Sequence, residues 1–259
     1  MGSGTTFKEI SGRVFSSVII PLPPLDEQHR IVSRLDAILP KIAELEAAEN
    51  ELEALEWKFP NDMRDALLQA AIEGKLTGSN TDNWRWVRLG DIVSVISGTS
   101  YEKSDVCRKG VRIIRGGNLV DEKIVLKDDD VFLPKQYANE EKQIQQNDIV
   151  IIASTGSLKG IGRAAFADIN FDEPIQIGAF LRIIRPINSS LVDYLKVIFA
   201  GQYYRSHISS VVNGIGIKNI REKHITEFLI PLPPIEERHC IVSRLNELLP
   251  LCEALEKIT

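Results

Sequence analysis

The sequence predicts an α+β protein: one mixed α/β domain flanked by long coiled-coil-forming helices. Three observations carry that prediction. First, the chain repeats itself at an offset of 210: Ile20-Pro21-Leu22-Pro23-Pro24 returns as Ile230-Pro231-Leu232-Pro233-Pro234, and Ile31-Val32-Ser33-Arg34-Leu35 as Ile241-Val242-Ser243-Arg244-Leu245. Internal self-similarity names the structural unit, here an extended apolar run, a proline stop and an acidic helix start. Second, apolar residues after the first copy recur in steps of four and three. Third, the middle of the chain switches to short β-branched runs set off by glycine, asparagine and aspartate. The match continues to Leu39-Pro40 and Leu249-Pro250, and reaches back weakly from Gly4, Lys8 and Ile10 to Gly214, Lys218 and Ile220.

Taken in order, residues 5–20 read as an extended tail ending in Val18-Ile19-Ile20. Pro21, Pro23 and Pro24 deny helix to the residues before them. Asp26 and Glu27 then place negative charge where a helix N-terminus favours it. From there Ile31, Leu35, Ile38, Ile42, Leu45 and Leu52 form a coiled-coil seam. Pro40 predicts a kink or break inside it, and Pro60 a bend or an end, with Asn61-Asp62 capping a further turn. The run Ala66-Leu67-Leu68-Gln69-Ala70-Ala71-Ile72 is strongly helical, and Gly74 is placed to stop it.

Lys75 to Asn83 reads as a polar linker. Val93–Ile96, Val111–Ile114, Ile149–Ile152, Ala164–Phe166 and Phe180–Ile184 read as strands. Leu191–Phe199 reads as a helix capped by Ser189 or Ser190, followed by another near Tyr203–Val211. The second copy starts a helix at about Ile235, with Ile241, Leu245, Leu248 and Leu255 at seam spacing.

Composition narrows the function classes. No apolar run approaches the roughly 18 residues that cross a bilayer, so no membrane partner is expected. Cys107, Cys240 and Cys252 are odd in number and lack CxxC spacing, which reads as reduced thiols in a cytoplasm. They do not cluster with His29, His207, His224 or His239, so no zinc site is expected. Net charge is −5, but residues 81–225 hold 20 Lys+Arg against 17 Asp+Glu between acidic flanks. A mildly basic middle is compatible with nucleic-acid binding. No phosphate loop, GxGxxG, HExxH or GxSxG motif is present. Asp121-Glu122 and Asp128-Asp129-Asp130 read as turns and solvated edges rather than a nuclease centre.

Two loops remain. Ser154-Thr155-Gly156-Ser157-Leu158-Lys159-Gly160-Ile161-Gly162-Arg163 lies between two predicted strands. Its glycines allow close backbone approach, and its hydroxyls, Lys159 and Arg163 suit phosphate oxygens and base edges. Arg115-Gly116-Gly117-Asn118 also follows a strand and pairs a guanidinium with an amide, groups that suit guanine and adenine. Either loop alone also reads as an ordinary glycine-rich turn.

Together these features resemble the DNA-specificity subunit of type I restriction–modification systems. The residues that carry the resemblance are the two proline runs with their Asp/Glu-Glu-x-His-x-Ile-Val continuations, Leu68 to Gly78, Trp86 to Ile92, Ile114 to Leu119, and Gly156-Ser157 through Gly162-Arg163. The resemblance implies residues 1–24 as the end of a missing first recognition domain and 25–80 as the long helical region. It implies 81–229 as a target-recognition domain and 230–259 as a second, shortened helix. It further implies double-stranded DNA as ligand, no catalysis, no cofactor of its own, and assembly with modification and restriction subunits. The expected DNA-binding set is Arg115, Asn118, Ser154, Thr155, Ser157, Lys159, Arg163, Lys218 and Asn219. With one recognition domain where a full subunit carries two, the exposed seam leads to the expectation of a homodimer through the long helices. An interaction scaffold without DNA binding and a nuclease are the rival readings.

Overall fold

The structure, a computed structural model, describes residues 12–168, 171, 173–212 and 218–256. The matches at Gly4, Lys8, Ile10 and Gly214 lie outside the described residues. The chain divides into two compact units, Met1–Lys58 and Phe59–Thr259.

In the first unit, residues expected to be extended form one helical turn, α1 (Gly12–Phe15), where the Ser16 amide donates to the Gly12 carbonyl at 2.9 Å. The prolines then hold the chain out of helix until Pro24. Its carbonyl starts α2 (Leu25–Ile72) by accepting the Glu27 and Gln28 amides, both at 3.0 Å. The Gln28 side chain donates back to the Pro23 carbonyl at 2.7 Å, so the entry is fixed from both sides.

α2 runs for 48 residues as one continuous helix, so of the outcomes expected at the prolines neither a break at Pro40 nor an end at Pro60 occurs. A proline removes one backbone hydrogen bond and crowds the preceding turn. The alanine-, leucine- and glutamate-rich turns between residues 43 and 56 are strong helix formers and carry the helix past both positions. Seam residues Ile31, Leu35, Ile38, Ile42, Leu45 and Leu52 are 42–58% exposed. The apolar stripe is therefore left exposed among the described residues.

The second unit takes in the end of α2, which buries Leu68, Ala71 and Ile72. Gly74, at φ +72°, stops the helix as expected, and a Cβ there would clash with Thr81 Cγ2. Beyond it come β1 (Arg85–Arg88), β2 (Val93–Ser97), β3 (Val111–Ile114), β4 (Leu119–Val120), β5 (Lys123–Ile124) and β6 (Val131–Leu133). They are followed by β7 (Ile149–Ile152), β8 (Ser154–Thr155), β9 (Ala164–Phe166), β10 (Ile175–Ile177) and β11 (Leu181–Pro186). Two helices, α3 (Val192–Ala200) and α4 (Gln202–Val211), precede β12 (Lys218–Asn219), α5 (Glu222–Thr226), β13 (Leu229–Leu232) and α6 (Ile235–Glu256). The fold is α+β.

A six-stranded sheet runs β2-β11-β7-β9-β5-β4, and a three-stranded sheet runs β10-β3-β6. β11 is antiparallel to both β2 and β7, whereas β10 is parallel to β3. All four residues of β7 are buried, because side chains alternate between two covered faces. Ile149 and Ile151 join Leu195, Ile198 and Tyr204 on the helical side. Val150 and Ile152 join Ile114, Ile177 and Ile183 on the other. The turn into α3 is capped by Asn188, whose side chain accepts the Ser190 amide at 2.9 Å, rather than by Ser189 or Ser190.

The second copy repeats the proline entry in a different setting. β13 pairs antiparallel with β1, Tyr194 Oη donates to the Pro231 carbonyl at 2.7 Å, and the Arg238 amide donates to the Pro234 carbonyl at 3.0 Å. Arg238 Nη1 also donates to the Ser190 carbonyl at 2.8 Å. Ile230, Ile241 and Leu245 are buried here, whereas their counterparts Ile20, Ile31 and Leu35 are exposed.

Candidate nucleic-acid interface

The two glycine-rich loops meet. The first leaves the sheet at Ile152 and returns to it at Arg163. Its neck is closed by two backbone bonds, from the Ile152 amide to the Arg163 carbonyl at 3.0 Å and from the Gly162 amide to the Ile152 carbonyl at 2.8 Å. Gly162 sits at φ +72°, and a Cβ would lie 2.8 Å from Ile208 Cγ2 of α4, so the neck demands glycine. Arg205 of α4 holds the loop from behind, donating to the carbonyls of Ile161 at 2.8 Å and Lys159 at 3.3 Å. The Arg205 guanidinium is thereby spent on the scaffold, and the scaffold in turn presents Lys159 and Arg163.

The second loop follows β3 as a single 3-10 turn, Gly116–Asn118. Arg163 Nη2 bridges to it, donating to the Gly116 carbonyl at 3.0 Å. Between the loops lies a cleft of about 620 Å³. Ser154, Thr155, Ser157, Lys159 and Arg163 line one part, Gly116 and Gly117 another, and Phe180 with Leu181 a third. Among the described residues none of those lining it is acidic. Lys127 Nζ lies 3.8 Å from the place a Cβ on Gly117 would occupy, adding a further cation beside the glycines.

β12 carries two further predicted residues to the same place. It pairs antiparallel with β8, setting Lys218 opposite Thr155 and Asn219 opposite Ser154. The Ile220 amide donates to the Ala153 carbonyl at 2.7 Å and continues the attachment. Arg115 stands beside the cleft, about half exposed, with Nη2 only 4.0 Å from an exposed Asp129 carboxylate oxygen. Nη2 also donates to the Asp129 carbonyl at 3.4 Å, so the guanidinium is held to Asp129 by two long surface contacts, and such surface pairs hold weakly.

Asn118 is the exception to the expected set. It is 2% exposed, and its amide is occupied: Oδ1 accepts the Arg115 amide at 2.8 Å, and Nδ2 donates to the Val125 carbonyl at 2.9 Å and to Asp130 Oδ1 at 2.6 Å. It shapes the loop from inside and does not offer its edge to a base. Asp130, expected at a solvated edge, is the buried centre of this network. It also accepts the Lys127 amide at 2.9 Å and Arg112 Nη1 at 3.0 Å. Burial pushes its carboxyl upward, but the Lys127 amide, Asn118 and Arg112 outweigh that and hold it below the ordinary range.

Sequence reasoning missed Phe180 and Lys127. Phe180 opens a predicted strand, where an aromatic reads as core; yet it is 67% exposed. The one local signal was the preceding Gly178-Ala179, which marks a turn that lifts the next residue out of the sheet. Chemically the cleft offers cations, hydroxyls, glycine backbone and one aromatic face. That combination suits phosphate oxygens and base edges. Among the described residues, no group of three or more His, Cys, Asp or Glu could hold a metal ion, and no helix is long and apolar enough to cross a membrane.

The comparisons agree with one another. A family model described as "Type I restriction modification DNA specificity domain" matches residues 2–54 and 81–259. The chain is 26% identical over 269 residues to the type I restriction enzyme MjaVIII specificity subunit of Methanocaldococcus jannaschii, covering 98% of this chain and 60% of that protein. It is 25% identical to the EcoBI specificity subunit of Escherichia coli, covering 98% of this chain and 56% of that one. Among solved structures, the HsdS subunit from Thermoanaerobacter tengcongensis superposes with a TM-score of 0.58 at 25% identity, covering 99% of this chain and 59% of that one. The chain thus spans well under two thirds of the length of these relatives.

Proposed function

Because this chain belongs to the type I restriction–modification DNA specificity family, we propose that it is a non-catalytic, sequence-specific DNA-binding specificity subunit. Residues 81–229 read one half of a bipartite site, and the helical segments 25–80 and 230–259 hold that reader and dock modification subunits. The observation that carries this reading is the cleft that Lys159 and Arg163 line together with Gly116 and Gly117, with no acidic side chain among the described residues that line it. Two loops separated by some forty residues of sequence converge on one surface rich in donors, the arrangement that phosphate positioning combined with base-edge readout requires.

Arg115, Lys159 and Arg163 supply charge, Ser154, Thr155, Ser157 and Asn219 supply adaptable hydroxyls and an amide, and Lys218 extends the ribbon beside them. The exposed stripe from Ile31 to Leu52 supports a second part of the proposal, a homodimer through the long helices. Burying such side chains is worth roughly 1.5–3 kcal/mol each before entropy is deducted, and leaving them in water invites association. Two-fold pairing would place two identical readers on an interrupted palindrome.

The test is selection of bound duplexes from a random pool, with and without a type I modification subunit. Enrichment of one defined half-site, or of its inverted repeat, is the expected result. A pool that stays random in both arms would refute the reading. The chain alone is expected neither to transfer methyl groups nor to cut DNA. Either activity, abolished by a point substitution in this chain, would favour an enzyme instead.

A further inference from the structure

Phe180 is exposed by construction rather than by accident of a loose loop. Its carbonyl accepts two amides, from Ala153 at 2.8 Å and Ser154 at 3.1 Å, at the point where the first glycine-rich loop leaves the sheet. Two residues earlier the Gly178 amide donates to the Ile114 carbonyl at 2.9 Å, next to the second loop, and the Gly178 carbonyl accepts the Leu181 amide at 2.9 Å. The turn is therefore pinned to the bases of both loops. The adjoining Leu181 is fully buried, so an apolar residue could be covered one position away. Instead an aromatic ring is held out at the wall of the cleft, beside Ile152 and Leu181, in a lining that also carries the cations, hydroxyls and glycines of the two loops.

Such a ring needs an apolar partner on the ligand. The cations and hydroxyls bring duplex DNA to the cleft, and the edges of a paired duplex offer one such group: the C5-methyl of thymine, in the major groove. Stacking on a base face would instead require that base to leave the helix, at the cost of unpairing and unstacking. A methyl contact leaves the duplex intact. We propose that Phe180 is a specificity-determining residue that reads the C5-methyl of a thymine in the half-site. This rests on the DNA-binding reading above and adds a chemical identity at one base pair.

The experiment replaces each thymine of the selected duplex with deoxyuridine, one at a time, which removes a methyl and keeps every hydrogen-bonding group. Binding of the parent chain should weaken by about three- to five-fold at one position, as expected for one methyl-sized apolar group. Phe180→Ala should bind the thymine and uracil duplexes equally, with unchanged thermal melting. Lys159→Ala should weaken both duplexes and keep their ratio. No uracil-sensitive position in the parent, or sensitivity that survives in Phe180→Ala, overturns the assignment. Equal weakening of every duplex by Phe180→Ala, with the thymine-to-uracil ratio intact, also overturns it. If binding is selective and depends on Lys159 and Arg163 but ignores uracil, the DNA-binding reading stands and the methyl contact falls. If no duplex is selected at all, both fall.

Discussion

Asn118 offers a direct test of whether a polar residue in a glycine-rich loop reads DNA or builds the loop. Asn118→Ala removes three hydrogen bonds: the Arg115 amide at 2.8 Å, the Val125 carbonyl at 2.9 Å and Asp130 Oδ1 at 2.6 Å. Two are neutral, worth about 1 kcal/mol each, and the one to the carboxylate about 1.5–3 kcal/mol. Asp130 keeps the Lys127 amide and Arg112, so no charge is orphaned and some loss is recovered by relaxation. The expected net cost is about 2–4 kcal/mol, or a fall in melting temperature of about 4–16 °C for a chain of this size.

Asn118→Asp sharpens the test. It keeps an acceptor for Arg115 but sets a second carboxylate against Asp130, where like charges oppose one another. In the parent, the folded pKa of Asp130 is held low. Its contribution is therefore present above the unfolded value of about 3.9 and lost as pH falls through the folded one. In Asn118→Asp the deficit should be largest near neutrality and narrow as acid protonates one of the pair. Thermal melting by circular dichroism from pH 7 down to about 4 reads both effects. If Asn118→Ala melts with the parent while base preference relaxes at one position, Asn118 is a base reader and the structural assignment is wrong.

Three further outcomes can be checked beside it. Lys159→Ala and Arg163→Ala should each weaken duplex binding and, where they contact phosphate, lower the salt slope by about one. Arg163→Ala should cost more, since it also releases the 3.0 Å bond to Gly116; unchanged titrations would place the interface elsewhere. Gly162→Ala forces a side chain into a left-handed backbone and a methyl to 2.8 Å from Ile208 Cγ2, so its urea midpoint should drop by the equivalent of about 1–3 kcal/mol, and an unshifted midpoint would refute the close approach. Leu45→Asp, at a 58% exposed position, should leave folding intact and shift sedimentation from dimer to monomer, whereas a parent that is monomeric at every concentration refutes the dimer.

What was legible in the sequence follows from where each instruction is stored. β2, β3, β7 and β11 announce themselves because β-branched runs that serve buried faces carry the signal within four to six residues, and β9 is legible as a short apolar run, Ala164-Ala165-Phe166. β8 and β12 have two residues each and exist only because they pair with one another across the sequence, so no local window contains them. Pro40 reads as a kink or break and Pro60 as a bend or an end because propensity is local, while the turns that carry α2 past them are a cooperative property of the whole helix. Asn118 and Phe180 both depart from their expected settings, one buried and the other exposed, for a related reason. An amide after two glycines resembles a ligand until a distant Asp130 claims it, and a phenylalanine opening a strand resembles core until a preceding turn holds it out.

The internal repeat makes the limit plainest. Ile20, Ile31 and Leu35 and their counterparts Ile230, Ile241 and Leu245 share one pattern, one proline entry and one helix start. The second set is buried against β1, α3 and their neighbours, and the first lies in solvent. Periodicity therefore specifies that a helix has an apolar face, and the same residues are satisfied by whatever element comes to lie on it. Likeness of sequence predicts the same helix start here, at Leu25 and Ile235, but burial depends on a partner that the repeating residues do not encode.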